Sequence, residues 1–261
     1  VRDFRRQATR WLSKRYVVAQ TDYQGLGTPD LHPYLIGVSE GRSVIDIVSA
    51  VRQIGGRVGR RWAAVGHSQG GHAALWAAAL AKSYAPNLRL QGAIPVAPAS
   101  HIGEQSALIE TIDGNPFGGL PALIAAAGAA DAGLDPAVVF SDAAFALYPQ
   151  IEQVCGGELS AADSFGGLSL KEYFREGFDT APLIARIAAN DPEDLTIRVP
   201  LLIAQGDKDT TVLPFYTNDT VKQLRGRGAK VNYRVYKGAT HTSVLEAAGP
   251  GTGRFLDRLF G

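Results

Sequence analysis

The alternation of apolar runs with helix-forming stretches limits the possible folds of this chain more than any other feature. Residues 61–67, RWAAVGH, have the length and apolar character of a buried strand. The alanine-rich stretch 70–85 favours a helix by propensity alone, and LQGAIPVA at 90–97 is again strand-like. Strands that alternate with helices imply right-handed crossovers and a parallel sheet with helices on both faces. The sequence therefore predicts an α/β fold.

The same alternation appears towards both ends of the chain. The periodicity of apolar residues predicts the following further elements: a helix over 3–14, a strand at 16–20 (YVVAQ), a helix over 38–54, a strand at 199–206, a helix over 215–227, a strand at 230–238 and a helix near 252–260.

Between residues 101 and 198 the alternation stops. This stretch is rich in Gly, Ala and Pro, and it contains helix-like fragments without a convincing strand. We interpret it as a helical cap inserted into one α/β domain, whose core comprises residues 1–100 and 199–261. A chain of 261 residues with 46% hydrophobic residues suits a single domain of this kind.

Charge and cysteine content exclude several functional classes. The chain has 26 Lys and Arg against 25 Asp and Glu, and no basic cluster is dense enough for nucleic-acid binding. The single cysteine, Cys155, excludes an intrachain disulfide and a Cys-rich zinc cluster, and we expect it to be a small buried residue. No apolar run approaches the roughly 20 residues that span a bilayer, so we expect no stable membrane insertion. No apolar signal region follows Val1.

The hexapeptide GHSQGG at residues 66–71 contains the pattern G-x-S-x-G. In a chain with 30 glycines the bare pattern is a weak signal, but here it joins a predicted strand to a predicted helix, as a nucleophile elbow requires. Such a turn forces the serine backbone into a sparsely allowed conformation and requires small neighbours, which Gly66 and Gly70 supply. The sequence predicts that Ser68 is a nucleophile and that the Gln69 amide faces a developing oxyanion.

A serine needs a base, and in α/β-hydrolases the partners follow in the order Ser, acid, His. His241, in KGATHTSV, is the histidine that follows both a late strand and a candidate acid, so we predict that it is the base. The other histidines are interpreted as surface or packing residues: His32, His67, His72 and His101.

The loop GDKDTTV after the strand at 199–206 offers two carboxylates, Asp207 and Asp209. Geometry alone leaves both open. The spacing from Gly206 to Asp209 and on to Val212 favours Asp209 as the acid, and Asp207 is then expected to cap the turn or to pair with Lys208.

Three stretches carry a family resemblance: VVAQTDYQG with the following YLIGVSEG, then GHSQGG with the following SYAPNLRLQGA, and DGNPFGGLPAL. From about Trp11 onwards the chain resembles the secretory lipase family. The resemblance implies an α/β-hydrolase sheet with a helical cap, secretion, no metal or organic cofactor, and hydrolysis of carboxylic esters, often lipidic. By position it matches Ser68, Asp209 and His241 to the catalytic triad, and Asp22 to the second oxyanion residue beside Gln69.

The chain also departs from the family pattern. Family members carry glycine where this chain has Gln69, whose side chain we expect to narrow or polarise the site. They use disulfides, which one cysteine cannot supply, and they have further strands upstream, so the sheet is expected to lack its usual N-terminal strands.

The expected partners are a small-molecule or lipid ester, with transient contact to a lipid interface. The apolar stretch at 116–130 is expected either to line an acyl tunnel or lid, or to be buried against the sheet. Three alternatives remain open: a peptidase or an acyltransferase with the same triad, and a non-catalytic binding protein of the same fold. The sequence leaves the oligomeric state open.

Overall fold

The computed structural model describes residues 2–55 and 57–261. These residues form two compact units. The first, which we call the sheet unit, comprises Val1–Asp22, Gly37–Ser100 and Pro192–Gly261. The second, the helical unit, comprises Tyr23–Ile36 and His101–Asp191. The helical unit includes most of the predicted cap, and it also takes in the segment Tyr23–Ile36, which the sequence assigned to the core.

The helices follow one another along the chain as α1 (Arg2–Ser13), α2 (Gly37–Ile54), α3 (Gln69–Tyr84), α4 (Ile102–Ala107), α5 (Leu120–Asp131), α6 (Pro136–Val139), α7 (Asp142–Leu147), α8 (Gln150–Gln153), α9 (Ala181–Ala188), α10 (Pro214–Gly226) and α11 (Val244–Phe260). Short 3₁₀ turns add Ile109–Thr111, Glu158–Ser160, Phe165–Gly167, Leu170–Glu172 and Pro192–Asp194.

Four strands form the sheet in the described part of the chain: β1 (Arg61–His67), β2 (Arg89–Val96), β3 (Leu201–Gly206) and β4 (Val231–Tyr236). Their order in space equals their order in sequence, and each neighbouring pair is parallel. The carboxyl ends of all four strands therefore meet at one edge of the sheet, where loops in α/β folds carry ligand and catalytic sites. This confirms the predicted α/β class with a parallel sheet.

Successive side chains of a strand belong alternately to two apolar clusters, one on each face of the sheet. In β3, Leu201 and Ile203 join one cluster, while Leu202 and Ala204 join the other, because successive side chains of a strand point to opposite faces. Helices α2, α3 and α10 pack in the first cluster, and α1 and α11 pack in the second. All six residues of β3 are buried, as expected for a strand covered on both sides.

The predicted strand at 16–20 was wrong. The chain is irregular there, although Tyr16 and Val18 pack against the second cluster while Val17 remains 60% exposed. The apolar pattern thus reflects the burial of alternate side chains in an irregular segment. A strand also needs a hydrogen-bonded neighbour, which an apolar pattern does not encode.

The last helix was predicted near 252–260, but α11 begins eight residues earlier and contains Pro250. The Gly-Pro-Gly sequence at 249–251 favours a break. Burial of Val244 and Ala248 ahead of the proline, and of Phe255 and Leu256 after it, keeps both halves in one helix against the sheet.

The helical unit has its own apolar cluster. Its alanine-rich helix α5 contributes Ala122, Ala125, Ala126 and Ala129, which pack with aromatic residues such as Phe140 and Tyr173 of the same unit. The small side chains of the 116–130 stretch therefore fill the core of the helical unit. Cys155 was expected to be buried and is exposed, because it lies in the turn after α8, where its amide donates to Glu158. Among the described residues, no helix has the length and apolar character of a membrane span.

Candidate active site

The turn between β1 and α3 has the geometry of a nucleophile elbow. Ser68 has a φ of 56° and a ψ of −118°, a conformation that residues other than glycine rarely adopt. Its amide donates to the carbonyl of Val96 at 3.0 Å, which ties the turn to β2. A Cβ atom at Gly66 would lie 1.8 Å from the carbonyl oxygen of Gly70. Glycine is therefore obligatory at position 66, as the motif requires.

Gln69 is the first residue of α3, so its amide belongs to the positive end of that helix. Its side chain is directed to a buried group, since Nε2 donates to Glu40 Oε1 at 2.8 Å. The other oxygen of Glu40 lies 2.7 Å from Nδ1 of His72, one turn into α3. Glu40 and His72 are fully buried. Through these two contacts the Glu40 carboxylate links the first turn of α2 to the first turn of α3.

Asp209 follows β3 and is buried. One of its oxygens accepts the amides of Thr211 at 2.9 Å and Val212 at 2.8 Å. Burial raises the pKa of Asp209, but the hydrogen bond from His241, together with those from the two loop amides, outweighs burial and holds this pKa below its ordinary value. The carboxylate is therefore charged at neutral pH.

His241 lies in the loop before α11, and its Nδ1 is 2.8 Å from Oδ2 of Asp209. A carboxylate only accepts hydrogen bonds, so the proton of the neutral imidazole is on Nδ1. The lone pair is then on Nε2, which is the atom that can accept a proton from a nucleophile. The side chain of His241 is 18% exposed and that of Asp209 is fully buried, so solvent reaches the pair at the histidine.

The loop after β3 (residues 207–213, the acid loop) and the loop between β4 and α11 (residues 237–243, the base loop) are joined by one backbone hydrogen bond and one from a backbone amide to a side chain. Lys208 donates its amide to the carbonyl of Ala239 at 2.9 Å, and Asp207 accepts the amide of Gly238 at 2.6 Å. Asp207 thus stabilises the turn that leads to His241, which fits the turn-capping role expected for it. A Cβ atom at Gly206 would lie 2.3 Å from the carbonyl oxygen of Ala239, so glycine allows this close approach.

His67, the residue before Ser68, contacts the base directly. Its Nε2 is 2.7 Å from the main-chain carbonyl oxygen of His241, and the centroids of the two imidazole rings are 4.5 Å apart. Burial, followed by the neighbouring His241, lowers the pKa of His67 to about 4. The sequence indicates a surface or packing role for His67, whereas the structure shows that it links the elbow to the base loop by a hydrogen bond.

The remaining site prediction concerns Asp22, which is exposed at the end of the segment after α1. Thr21 Oγ1 donates to its main-chain carbonyl at 2.8 Å. The role of Asp22 in an oxyanion hole stays a prediction.

Two further histidines belong to the helical unit. His32 is partly exposed, with Nδ1 2.8 Å from the carbonyl oxygen of Gln24 and its ring stacked on Tyr23. His101 is buried at the start of α4 with a φ of 52°, and its Nδ1 is 3.5 Å from Glu104.

Sequence reasoning missed two buried polar residues that support the site. Gln205 is fully buried in β3, and its Nε2 lies 3.0 Å from Oδ2 of Asp209 and 3.1 Å from the carbonyl of Val212. Its Oε1 accepts the hydroxyl of Thr217 at 2.9 Å. The signal was available, because a glutamine inside the apolar run LLIAQG is a buried polar group that requires partners. Glu40, in the first turn of α2, gave no comparable signal.

Comparison with known proteins identifies the family of the chain. The model of the family described as "Secretory lipase" matches residues 7–141, which is just over half of the chain. The chain belongs to the secretory lipase family. One curated relative, Lipase A of Moesziomyces aphidis, is 31% identical over 112 residues, which make up 41% of this chain and 22% of the relative. This family member therefore spans only about a fifth of that relative's length.

Solved structures share the fold of this secretory lipase family member at low identity. Candida antarctica lipase A in its closed state superposes with a TM-score of 0.69 at 18% identity, covering 87% of this chain and 55% of the other. A rice cell wall degrading esterase from Xanthomonas oryzae gives a TM-score of 0.65 at 22% identity, covering 87% and 67%. A putative hydrolase from Legionella pneumophila gives 0.69 at 16% identity, covering 88% and 65%. The chain thus has the α/β-hydrolase architecture.

Proposed function

We propose that this protein hydrolyses carboxylic esters through an acyl-enzyme, with Ser68 as nucleophile, His241 as base and Asp209 as acid. The observation that carries the proposal is the distance of 2.8 Å between the buried Asp209 carboxylate and Nδ1 of His241. The loop that contains His241 is also hydrogen-bonded to His67, next to the strained backbone of Ser68. Membership of the secretory lipase family supports an ester as substrate and secretion as the location. The names of the similar structures, an esterase and a lipase, point the same way.

The proposed reaction has two acyl-transfer steps. Nε2 of His241 takes the proton of Ser68 as the serine oxygen attacks the ester carbonyl, and Asp209 stabilises the imidazolium that forms. The tetrahedral oxyanion is bound by the main-chain amides of Gln69 and Asp22. The imidazolium then protonates the leaving alcohol, and water repeats the sequence on the acyl-enzyme with His241 again as base.

The low pKa of Asp209 supports its role in this reaction. A carboxylate that remains charged next to Nδ1 holds the imidazole in the tautomer with a free Nε2 lone pair. The main-chain amides that hold its other oxygen also fix the direction in which Asp209 faces His241.

Two variants test the nucleophile. Ser68→Ala is expected to lower kcat for a chromogenic ester by on the order of 10⁴-fold or more, because the covalent step is lost. Ser83→Ala removes an exposed serine hydroxyl at the far end of the same helix and serves as the matched control. A fluorophosphonate probe should label the wild type and Ser83→Ala, and should fail to label Ser68→Ala. Unchanged hydrolysis by Ser68→Ala would disprove the proposal.

The same triad can also act on amides or transfer an acyl group to an alcohol. A substrate panel that contains an ester, the matching anilide, and the ester with an added acceptor alcohol separates these reactions. Hydrolysis of the ester at a rate far above the other two is the expected result. Labelling by the probe without turnover of any panel member would favour a binding protein of this fold over an enzyme.

A further inference from the structure

We propose that His67 is a positioning residue for the base: its Nε2–H holds the main-chain carbonyl of His241 and so couples the elbow of Ser68 to the loop that carries the imidazole. This proposal rests on the proposed function, since it assigns His67 a part in the same reaction. The residue before the nucleophile in G-x-S-x-G is then a functional position in this chain.

The hydrogen bond fixes the tautomer of His67. A main-chain carbonyl oxygen only accepts, so the 2.7 Å contact requires the proton of the neutral His67 ring to be on Nε2. His67 ends β1 one residue before Ser68, and β1 is bonded along its length to β2. The donor is therefore carried by a rigid strand, while the acceptor belongs to a loop between β4 and α11.

Within the described part of the chain, the other hydrogen bonds of the base loop act on the neighbours of His241. Lys208 bonds to Ala239, Asp207 bonds to Gly238, and Thr240 donates its amide to Ser243. The bond from His67 acts on the main-chain carbonyl of the base. Loss of that bond leaves His241 held by its side chain through Asp209, so its imidazole should sample positions from which Nε2 does not reach the serine.

The ring of His67 must also be neutral for this arrangement to favour catalysis. The ring centroids of His67 and His241 are 4.5 Å apart, and His241 becomes positively charged as Ser68 attacks. A second imidazolium at that distance would oppose this charge. The ionisable groups that act on His67 are His241 and Asp209, and burial together with the former holds the pKa of His67 at about 4. His67 is therefore neutral at neutral pH.

Four substitutions separate the hydrogen bond from the ring. His67→Gln keeps a donor that reaches the carbonyl of residue 241, and it is expected to retain kcat within about twofold. His67→Phe keeps the ring without the donor, and His67→Asn carries a donor that is too short to reach; each is expected to lose roughly three- to tenfold in kcat at unchanged KM, the size expected for one hydrogen bond. His67→Leu lacks both features and should lose at least as much.

Arg225→Leu is the matched control, because it removes a hydrogen bond from a side chain to a main-chain carbonyl elsewhere in the sheet unit. It should leave kcat unchanged. Urea unfolding of each variant supplies the folded fraction to which kcat is referred. If His67→Phe does not fold, the contrast between His67→Gln and His67→Asn gives the same test.

A spectroscopic readout tests positioning without turnover. The proton between Nδ1 of His241 and Asp209 should give a downfield proton resonance that Asp209→Asn abolishes. That resonance should persist in His67→Gln and broaden in His67→Phe and His67→Asn. In the wild type, the Cε1–H signal of His67 should not titrate until the pH falls to about 4.

Equal kcat in the wild type and His67→Phe, equal losses in the Gln and Phe variants, or titration of His67 near its ordinary pKa would each overturn the proposal. None of these results touches the proposed function so long as Ser68→Ala is inactive. Conversely, hydrolysis by Ser68→Ala removes the proposed function, whatever His67 does.

Discussion

The nucleophile and the acid of the proposed triad are held in place by different forces. The elbow fixes Ser68 by steric exclusion: glycine backbones approach within distances that no Cβ tolerates, and the serine itself is kept at a positive φ. The acid loop fixes Asp209 by hydrogen bonds from its own amides and from Gln205. A turn held by close backbone contacts is disrupted by a single added atom. A site held by several hydrogen bonds loses stability by a limited amount for each bond that is removed.

The largest effect is expected at the elbow. Gly66→Ala places a methyl group 1.8 Å from a main-chain oxygen of the first turn of α3, which cannot move without displacing the helix. We expect the free energy of unfolding to fall by about 3 kcal/mol or more, or the protein not to fold, as measured by urea unfolding followed by circular dichroism.

Gly253→Ala is the control for this variant. A Cβ atom there meets nothing within 4 Å, and the residue is helical, so alanine should stabilise the protein by about 0.5–1 kcal/mol. Comparable stability of the two alanine variants would contradict the steric account of the elbow.

At the acid loop, Asp209→Asn should leave the fold intact and abolish most of the activity. The amide oxygen can still accept the loop amides, but the neutral side chain no longer stabilises the imidazolium. We expect kcat for the chromogenic ester to fall on the order of 10³-fold or more, with a small change in urea midpoint.

Asp207→Asn is the matched variant, because its side-chain oxygen can still accept the amide of Gly238. We expect it to keep kcat within a few-fold of the wild type. A larger loss at Asp207 than at Asp209 would reverse the assignment of the acid.

Gln205→Leu tests the graded behaviour of the hydrogen-bonded cluster. The substitution leaves the hydroxyl of Thr217 and the carbonyl of Val212 without the partner they have in the wild type, and it removes a donor from Asp209. We expect a loss of about 1–3 kcal/mol in the free energy of unfolding. The fall in kcat should be far smaller than that of Asp209→Asn. A loss of activity equal to that of Asp209→Asn would show that the cluster also fails abruptly.

The effect that is smallest at neutral pH, and that grows only as the pH falls, is a dependence of stability on pH. The pKa of His67 is about 4 in the folded state against 6.5 in the unfolded chain, so the unfolded state binds the proton first as the pH falls. Stability is therefore lost between about pH 6.5 and 4, by no more than about 3 kcal/mol from this residue. Between those pH values, the free energy of unfolding of His67→Gln should fall by less than that of the wild type, as measured by urea unfolding at a series of pH values. A parallel pH dependence of the two proteins would contradict the lowered pKa.

Asp209 contributes in a lower range of pH. Its folded pKa lies below the ordinary value, so its contribution to stability is present above the unfolded pKa, near 4, and is lost as the pH falls through the folded pKa. The two groups are thus distinguishable, since His67 acts above about pH 4 and Asp209 acts below.

The elements that the sequence predicted well are those whose evidence is local. The run RWAAVGH and the alanine-rich stretch after it each favour one secondary structure, and the elbow motif between them requires glycine for reasons contained in five residues. The failures concern elements that depend on distant partners. Residues 16–20 have a strand-like pattern without forming a strand, and α11 continues through Pro250 because the sheet buries it on both sides of the proline.

The sequence by itself determined the fold class, the family and the candidates for nucleophile, acid and base, because motif, order along the chain and apolar periodicity are all written in neighbouring residues. Only the tertiary structure decided how those candidates are held. The contacts of His67 with His241, of Gln205 with Asp209, and of Glu40 with Gln69 and His72 join different elements of the sheet unit. The sequence can indicate that a buried polar residue such as Gln205 needs a partner. It does not say which partner, because hydrogen bonds form between atoms that the fold brings together.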